Sequence, residues 1–139
     1  MSLSDEHKKM SKTDPSSCLF LTDPPELIHK KILKAKTDAF TKISYDRSER
    51  RPLANLIDIF AALKDVSVEE VVLAFADLGH RQFKEELCSL ITEFFREFRY
   101  NYEHISDRAC LDILKDSEPI AHEYASKTLR SITNKIGFI

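Results

Sequence analysis

The chain has 139 residues, 42% of them apolar and 32% charged, with a formal net charge of −2 at pH 7. This is the size of one domain with an ordinary core, and it excludes both a disordered tail and a protein that holds nucleic acid by bulk charge. Two glycines and no tryptophan leave little room for the tight turns of a sandwich or barrel, so the expected fold is all-α: five to six helices in a bundle after an irregular N-terminal loop segment.

Residues 1–22 have no helical periodicity. They carry a lysine cluster (Lys8, Lys9, Lys12) and a short apolar run from Cys18. Asp23-Pro24-Pro25-Glu26 then predicts a helix start, with Asp23 as N-cap and prolines in the first turn. That helix is expected to reach about Lys36, with Leu27, Ile28, Ile32 and Ala35 on one face and Lys30, Lys31 and Lys34 on the other. Residues 37–52 read as a polar connection, basic at its end. Leu53 opens a second helix with Leu56, Ile57, Phe60 and Leu63 in register. Ser67 and Glu70 form a capping box for a third helix through Val71, Val72 and Phe75, which Gly79 is expected to stop.

The longest predicted helix runs from about Arg81 to His104. Its apolar stripe is Phe83, Leu87, Leu90, Ile91, Phe94, Phe98 and Tyr102, and the helical period assigns these aromatics to the core rather than to a base-stacking platform. Ser106-Asp107 begins a short fifth helix with Leu111 and Leu114. Ser117-Glu118-Pro119 begins a sixth, with Ile120, Tyr124, Leu129, Ile132 and Ile136 facing inward and Gly137 closing it.

Charge is uneven: residues 1–51 hold 11 Lys/Arg against 8 Asp/Glu, and residues 52–139 hold 10 against 15. Cys18, Cys88 and Cys110 form no CxxC pair, and His29, His104 and His122 have no Cys or carboxylate at ligand spacing, so no metal site is expected. The cysteines are expected as free thiols in a reducing compartment. No apolar run is long enough to span a bilayer.

Lys9-Met10-Ser11-Lys12-Thr13 carries the most specific chemistry. Two lysines separated by Met10-Ser11 place two ammonium groups on one short loop. Ser11, Thr13 and the backbone N–H groups can hydrogen-bond phosphate oxygens, and a mobile loop of cations suits the negative charge that builds on departing pyrophosphate. With Met1-Ser2-Leu3 and Asp5 before it and Asp14-Pro15 after it, the pentamer resembles the KMSKS loop of class I aminoacyl-tRNA synthetases. Thr22 to Ile28, Lys34 to Asp38, Tyr45-Asp46, Asn55 to Ile59, Ser67 to Val72, Ala125 to Leu129 and Ile136-Gly137-Phe138 follow in order. Together they resemble the C-terminal part of a tryptophanyl-tRNA synthetase. The second lysine, Lys12, resembles the bacterial or mitochondrial branch.

The resemblance implies that Met1 is internal to a longer protein, that residues 1–22 are the loop and tail end of a nucleotide-binding domain, and that 23–139 form the helical anticodon-binding domain. It implies Lys12 as the principal stabiliser of the leaving group and Lys9 as the second cation, with Lys9, Met10, Ser11, Lys12 and Thr13 contacting ATP. Candidate tRNA contacts are Lys30, Lys34, Arg50, Arg51, Arg81 and Lys84. The whole enzyme would use ATP with Mg2+, charge tRNA(Trp) with tryptophan as a homodimer, and reside in a bacterial cytoplasm or mitochondrial matrix. The 139 residues alone are expected to be inactive, since the adenine and tryptophan pockets lie upstream, and to expose an apolar patch. Two departures stand out: Thr13 replaces a Ser, and Pro52 stands where the family has Gly. A tyrosyl-tRNA synthetase and a free-standing helical tRNA- or protein-binding module are the alternatives.

Overall fold

The computed structural model describes residues 1–138. Ile139, the end of the expected helical domain, lies outside the described residues. Among the described residues, six helices follow an irregular N-terminal segment whose regular structure is one 3-10 turn at Pro15–Ser17: α1 Pro25–Lys34, α2 Arg51–Lys64, α3 Val68–Ala74, α4 His80–Phe94, α5 Arg96–His104 and α6 Asp107–Ile136. No strand occurs among the described residues. The all-α expectation holds.

The chain divides into two compact units, Met1–Tyr100 and Asn101–Ile139. In the first, α1 packs on α4, and α2 on both α3 and α4. Ile28 and Ile32 of α1, Leu53, Leu56 and Ile57 of α2, Val71 of α3 and Phe83, Leu87 and Ile91 of α4 are almost fully buried. Phe60, Phe75 and Phe83 form a ring cluster with centroids 5.1–5.8 Å apart. Burying each such side chain contributes about 1.5–3 kcal/mol. Leu3 and Ile43 join the same core from irregular segments, which fixes the N-terminal loop and the α1–α2 connection onto the helices.

Several boundaries differ from the sequence reading. Asp23 does not cap α1; Pro24 occupies that position with no side-chain cap bond. The Asp23 carboxylate is buried instead, where Lys31 Nζ donates to it at 2.6 Å and the Phe20 N–H at 3.0 Å. Lys31 therefore belongs to the inner face of α1, beside the Phe20 ring. The helix pattern read Lys31 as solvated because lysines are seldom buried unless paired, and the pairing partner sits eight residues away.

Gly79 does not stop α3. That helix ends at Ala74, and Gly79 is the N-cap of α4 with φ −83°. The Ser67 capping box forms as expected, with Glu70 N–H donating to the serine hydroxyl and Ser67 N–H to the Glu70 carboxylate. The expected helix 81–104 is two helices, broken at Phe95. Phe83, Leu87 and Ile91 are core residues, but Phe94, Phe98 and Tyr102 are exposed.

In the second unit, α6 runs unbroken for 30 residues through Pro119, where two helices were expected. Ser106 is its N-cap, accepting from Ala109 N–H, and Gly137 closes it at φ +73°, a conformation that glycine adopts without a Cβ penalty. Ser117 is no cap; its hydroxyl donates back to the Ile113 and Leu114 carbonyls. None of the α6 side chains is buried, and Ile120, Tyr124, Leu129, Ile132 and Ile136 are 50–74% exposed. Period identifies an apolar face but not what covers it, so the inward assignment of these residues fails.

Candidate phosphate-handling loop

Leu3 sets the base of the lysine loop. Its side chain is sealed in the helical core, its N–H donates to the Ser17 carbonyl at 2.8 Å, and its carbonyl accepts from the Lys36 N–H at 2.8 Å. The segment between is thereby closed into a loop whose two ends meet. A second tie joins Ser2 N–H to the Lys8 carbonyl, while the Ser2 hydroxyl accepts from the N–H groups of Ser4 and Asp5. Ser2 and Ser17 are both buried, so their polar groups are satisfied inside the loop base.

Ser11 organises the tip. Its hydroxyl pairs with the Thr13 hydroxyl at 2.7 Å and accepts from Thr13 N–H. Its carbonyl accepts from Asp14 N–H at 3.0 Å and from the buried Cys18 thiol at 3.4 Å. The Thr13 hydroxyl makes a bond that a serine hydroxyl could make equally, which explains why Thr is accommodated there. Asp14 starts the 3-10 turn, and hydrogen bonds from Ser16 and Ser17 hold its carboxyl below the ordinary value.

Met10 is half-buried against the core, whereas Lys9 and Lys12 on either side of it are exposed. Lys8 is neutralised by Asp5 at 3.1 Å. Neither Lys9 nor Lys12 has an acidic partner among the described residues. The loop therefore offers two uncompensated ammonium groups with two hydroxyls between and beside them, a donor set that fits phosphate oxygens. No group of three His, Cys, Asp or Glu side chains suited to hold a metal ion occurs among the described residues.

The six candidate tRNA contacts separate into two kinds. Lys30, Lys34, Arg51 and Arg81 are exposed on the starts and outer faces of α1, α2 and α4. Arg50 and Lys84 are each 7% exposed and bound internally. Arg50 donates to both Asp38 oxygens at 2.7 and 2.8 Å, to the Lys42 carbonyl and to Ser44, over the Phe40 ring. These bonds hold the Asp38 carboxyl below its usual range. His80, whose ring burial lowers its pKa, lies 3.4 Å from Arg50 as an acceptor. Lys84 donates to the Leu33 and Ala35 carbonyls, a cation at the negative end of α1, and burial lowers its pKa.

Sequence reasoning missed Glu6 and Lys36. Both Glu6 oxygens accept from Lys36 Nζ at 2.8 Å, and this bond draws the Glu6 carboxyl below its ordinary value. A separation of 30 residues leaves no local pattern to reveal such a pair. His7 Nδ1 likewise lies 3.2 Å from Arg51.

A closed loop with two exposed lysines is seated on a four-helix core. The family model for class I tRNA synthetases of the tryptophan and tyrosine type matches residues 1–96, the loop and α1–α4 included. The chain belongs to that family. Over its whole length it is 38% identical to tryptophan-tRNA ligase from Rickettsia conorii and 34% identical to that from Caldanaerobacter subterraneus subsp. tengcongensis, covering 43% of each. The solved tryptophanyl-tRNA synthetase of Mycoplasma pneumoniae aligns with 99% of the chain at a TM-score of 0.78 and 26% identity, again over 43% of that protein. The chain thus spans less than half the length of the relatives it matches.

Proposed function

We propose that this chain is the C-terminal part of a tryptophan-tRNA ligase, which activates tryptophan with ATP and charges tRNA(Trp). The observation that carries the reading is the pair of exposed, acid-free lysines, Lys9 and Lys12, on a chain whose whole length resembles tryptophan-tRNA ligases. When the tryptophan carboxylate attacks the α-phosphate, the acyl-adenylate forms and pyrophosphate departs. Lys12 follows the growing negative charge on the leaving oxygens and Lys9 supplies the second cation. Ser11, Lys12 and Thr13 approach the phosphates through hydroxyl and backbone donors, while Met10 keeps the loop seated on the core. ATP would bring Mg2+, which would add to the charge neutralisation that Lys9 and Lys12 supply.

Residues 1–22 serve as this loop and the tail end of a nucleotide-binding domain, and 23–139 as the tRNA-contacting helices of a homodimeric enzyme in a bacterial cytoplasm or mitochondrial matrix. Lys30, Lys34, Arg51 and Arg81 are the cations available to tRNA, since Arg50 and Lys84 are committed internally. The exposed stripe of α6 packs against the preceding part of the enzyme.

The test is a chimera in which the preceding portion of the Rickettsia conorii ligase is joined to this chain. Tryptophan-dependent ATP–pyrophosphate exchange is the expected result, with none from the chain alone. A folded chimera without exchange would count against the reading, and exchange by residues 1–139 alone would overturn the division of labour.

A further inference from the structure

Lys36 touches the loop twice. Its backbone N–H donates to the Leu3 carbonyl, and its ammonium group reaches both oxygens of Glu6. Leu3 in turn holds Ser17 at the far end of the loop. One residue just beyond α1 is therefore joined to the incoming arm of the loop by a backbone bond and a charge-assisted side-chain bond. Glu6 is only 19% exposed at its side chain, and Asp5, the neighbouring acid, is already engaged by Lys8. Lys36 is thus the lysine that holds Glu6, at 2.8 Å from both carboxylate oxygens.

We propose that the Lys36–Glu6 pair is a clasp that positions the phosphate-handling loop: it ties the base of the loop, and through it the two working lysines, to the end of α1. Lys36 and Glu6 are positioning residues, acting through Lys9 and Lys12. The functional consequence rests on the reading of Lys9 to Thr13 as a phosphate-handling loop, whereas the clasp itself is measurable without catalysis.

The measurement is amide hydrogen exchange on the 139-residue chain, following the hydrogen-bonded amides of Leu3, Lys8, Asp14 and Ser17. Lys36→Met should speed their exchange about two- to fivefold, the size of one partly exposed ion pair, with the amides of α2 and α4 unchanged. Lys36→Arg should restore the original rates, and so should the charge swap Glu6→Lys with Lys36→Glu. Unchanged loop rates in Lys36→Met, or equal acceleration throughout α2 and α4, would overturn the clasp. In the chimera, Lys36→Met should lower kcat about two- to fivefold, by the same ion-pair magnitude, at constant KM for tryptophan; an unaltered kcat would overturn the positioning role. An unsubstituted chimera without exchange activity would count against the functional reading instead, with the amide rates still deciding the clasp.

Discussion

Residues 1–100 and residues 101–139 use apolar side chains in opposite ways. The first unit buries them: Phe83, Leu87 and Ile91 of α4 are 0% exposed and interlock with α1 and α2. The second places residues of the same chemistry along α6 with none buried, and Tyr124 is 74% exposed. Helical periodicity is present in both, so amphipathicity alone does not make a core. A stripe becomes a core only where a second element supplies the opposing face.

The largest effect that sharpens this contrast is expected at Phe83. Phe83→Ala removes a ring packed against Phe60 and Phe75 and should cost about 3–5 kcal/mol in urea unfolding. Tyr124→Ala should change stability by less than about 0.5 kcal/mol. Equal costs would erase the distinction between the units.

Asp38→Asn comes next, because it leaves the buried Arg50 guanidinium without its counter-ion. A loss of about 3 kcal/mol is expected. The pH dependence has a definite sign. Since Arg50 depresses the folded-state Asp38 pKa, the stabilisation is fully present above the ordinary carboxylate value of about 4 and is lost as pH falls through the lower folded value. Wild type should therefore lose stability below that range more steeply than the Asn variant in parallel urea titrations.

Pro119 probes the second unit. A proline inside a helix forfeits one backbone bond and clashes with the preceding turn, at a cost of about 3 kcal/mol relative to alanine. Pro119→Ala should raise helicity by circular dichroism and stabilise α6 by up to about that amount. A fall in helicity would mean that a helix starts at this proline, as its sequence context suggests. The smallest effect is expected at Ser67, where Ser67→Ala removes the cap of α3 and should cost about 1 kcal/mol.

The helices of the first unit were legible because their signals are local: the Ser67/Glu70 box, the i, i+3, i+4 stripes of α2 and α4, and the prolines that open α1. The KMSKT loop was legible as a motif with ordered companions. What was not legible depends on distance in sequence. Asp23 looked like a cap and is the counter-ion of Lys31; Arg50 and Lys84 looked like surface cations and are held by Asp38 and by the end of α1. Charged side chains read as solvated until their partners are placed, and the Glu6–Lys36 pair left no trace for the same reason. The helix boundaries at Phe95 and Pro119 were misplaced because caps and breakers are permissive rather than obligatory.

The central claim is that Lys9 and Lys12 act on departing pyrophosphate in a site that the rest of a longer enzyme completes. The direct measurement is tryptophan-dependent ATP–pyrophosphate exchange in the chimera with Lys12→Ala. A fall in kcat of about 100-fold or more, with KM for tryptophan unchanged, is the predicted result. Exchange at the unsubstituted rate would contradict it.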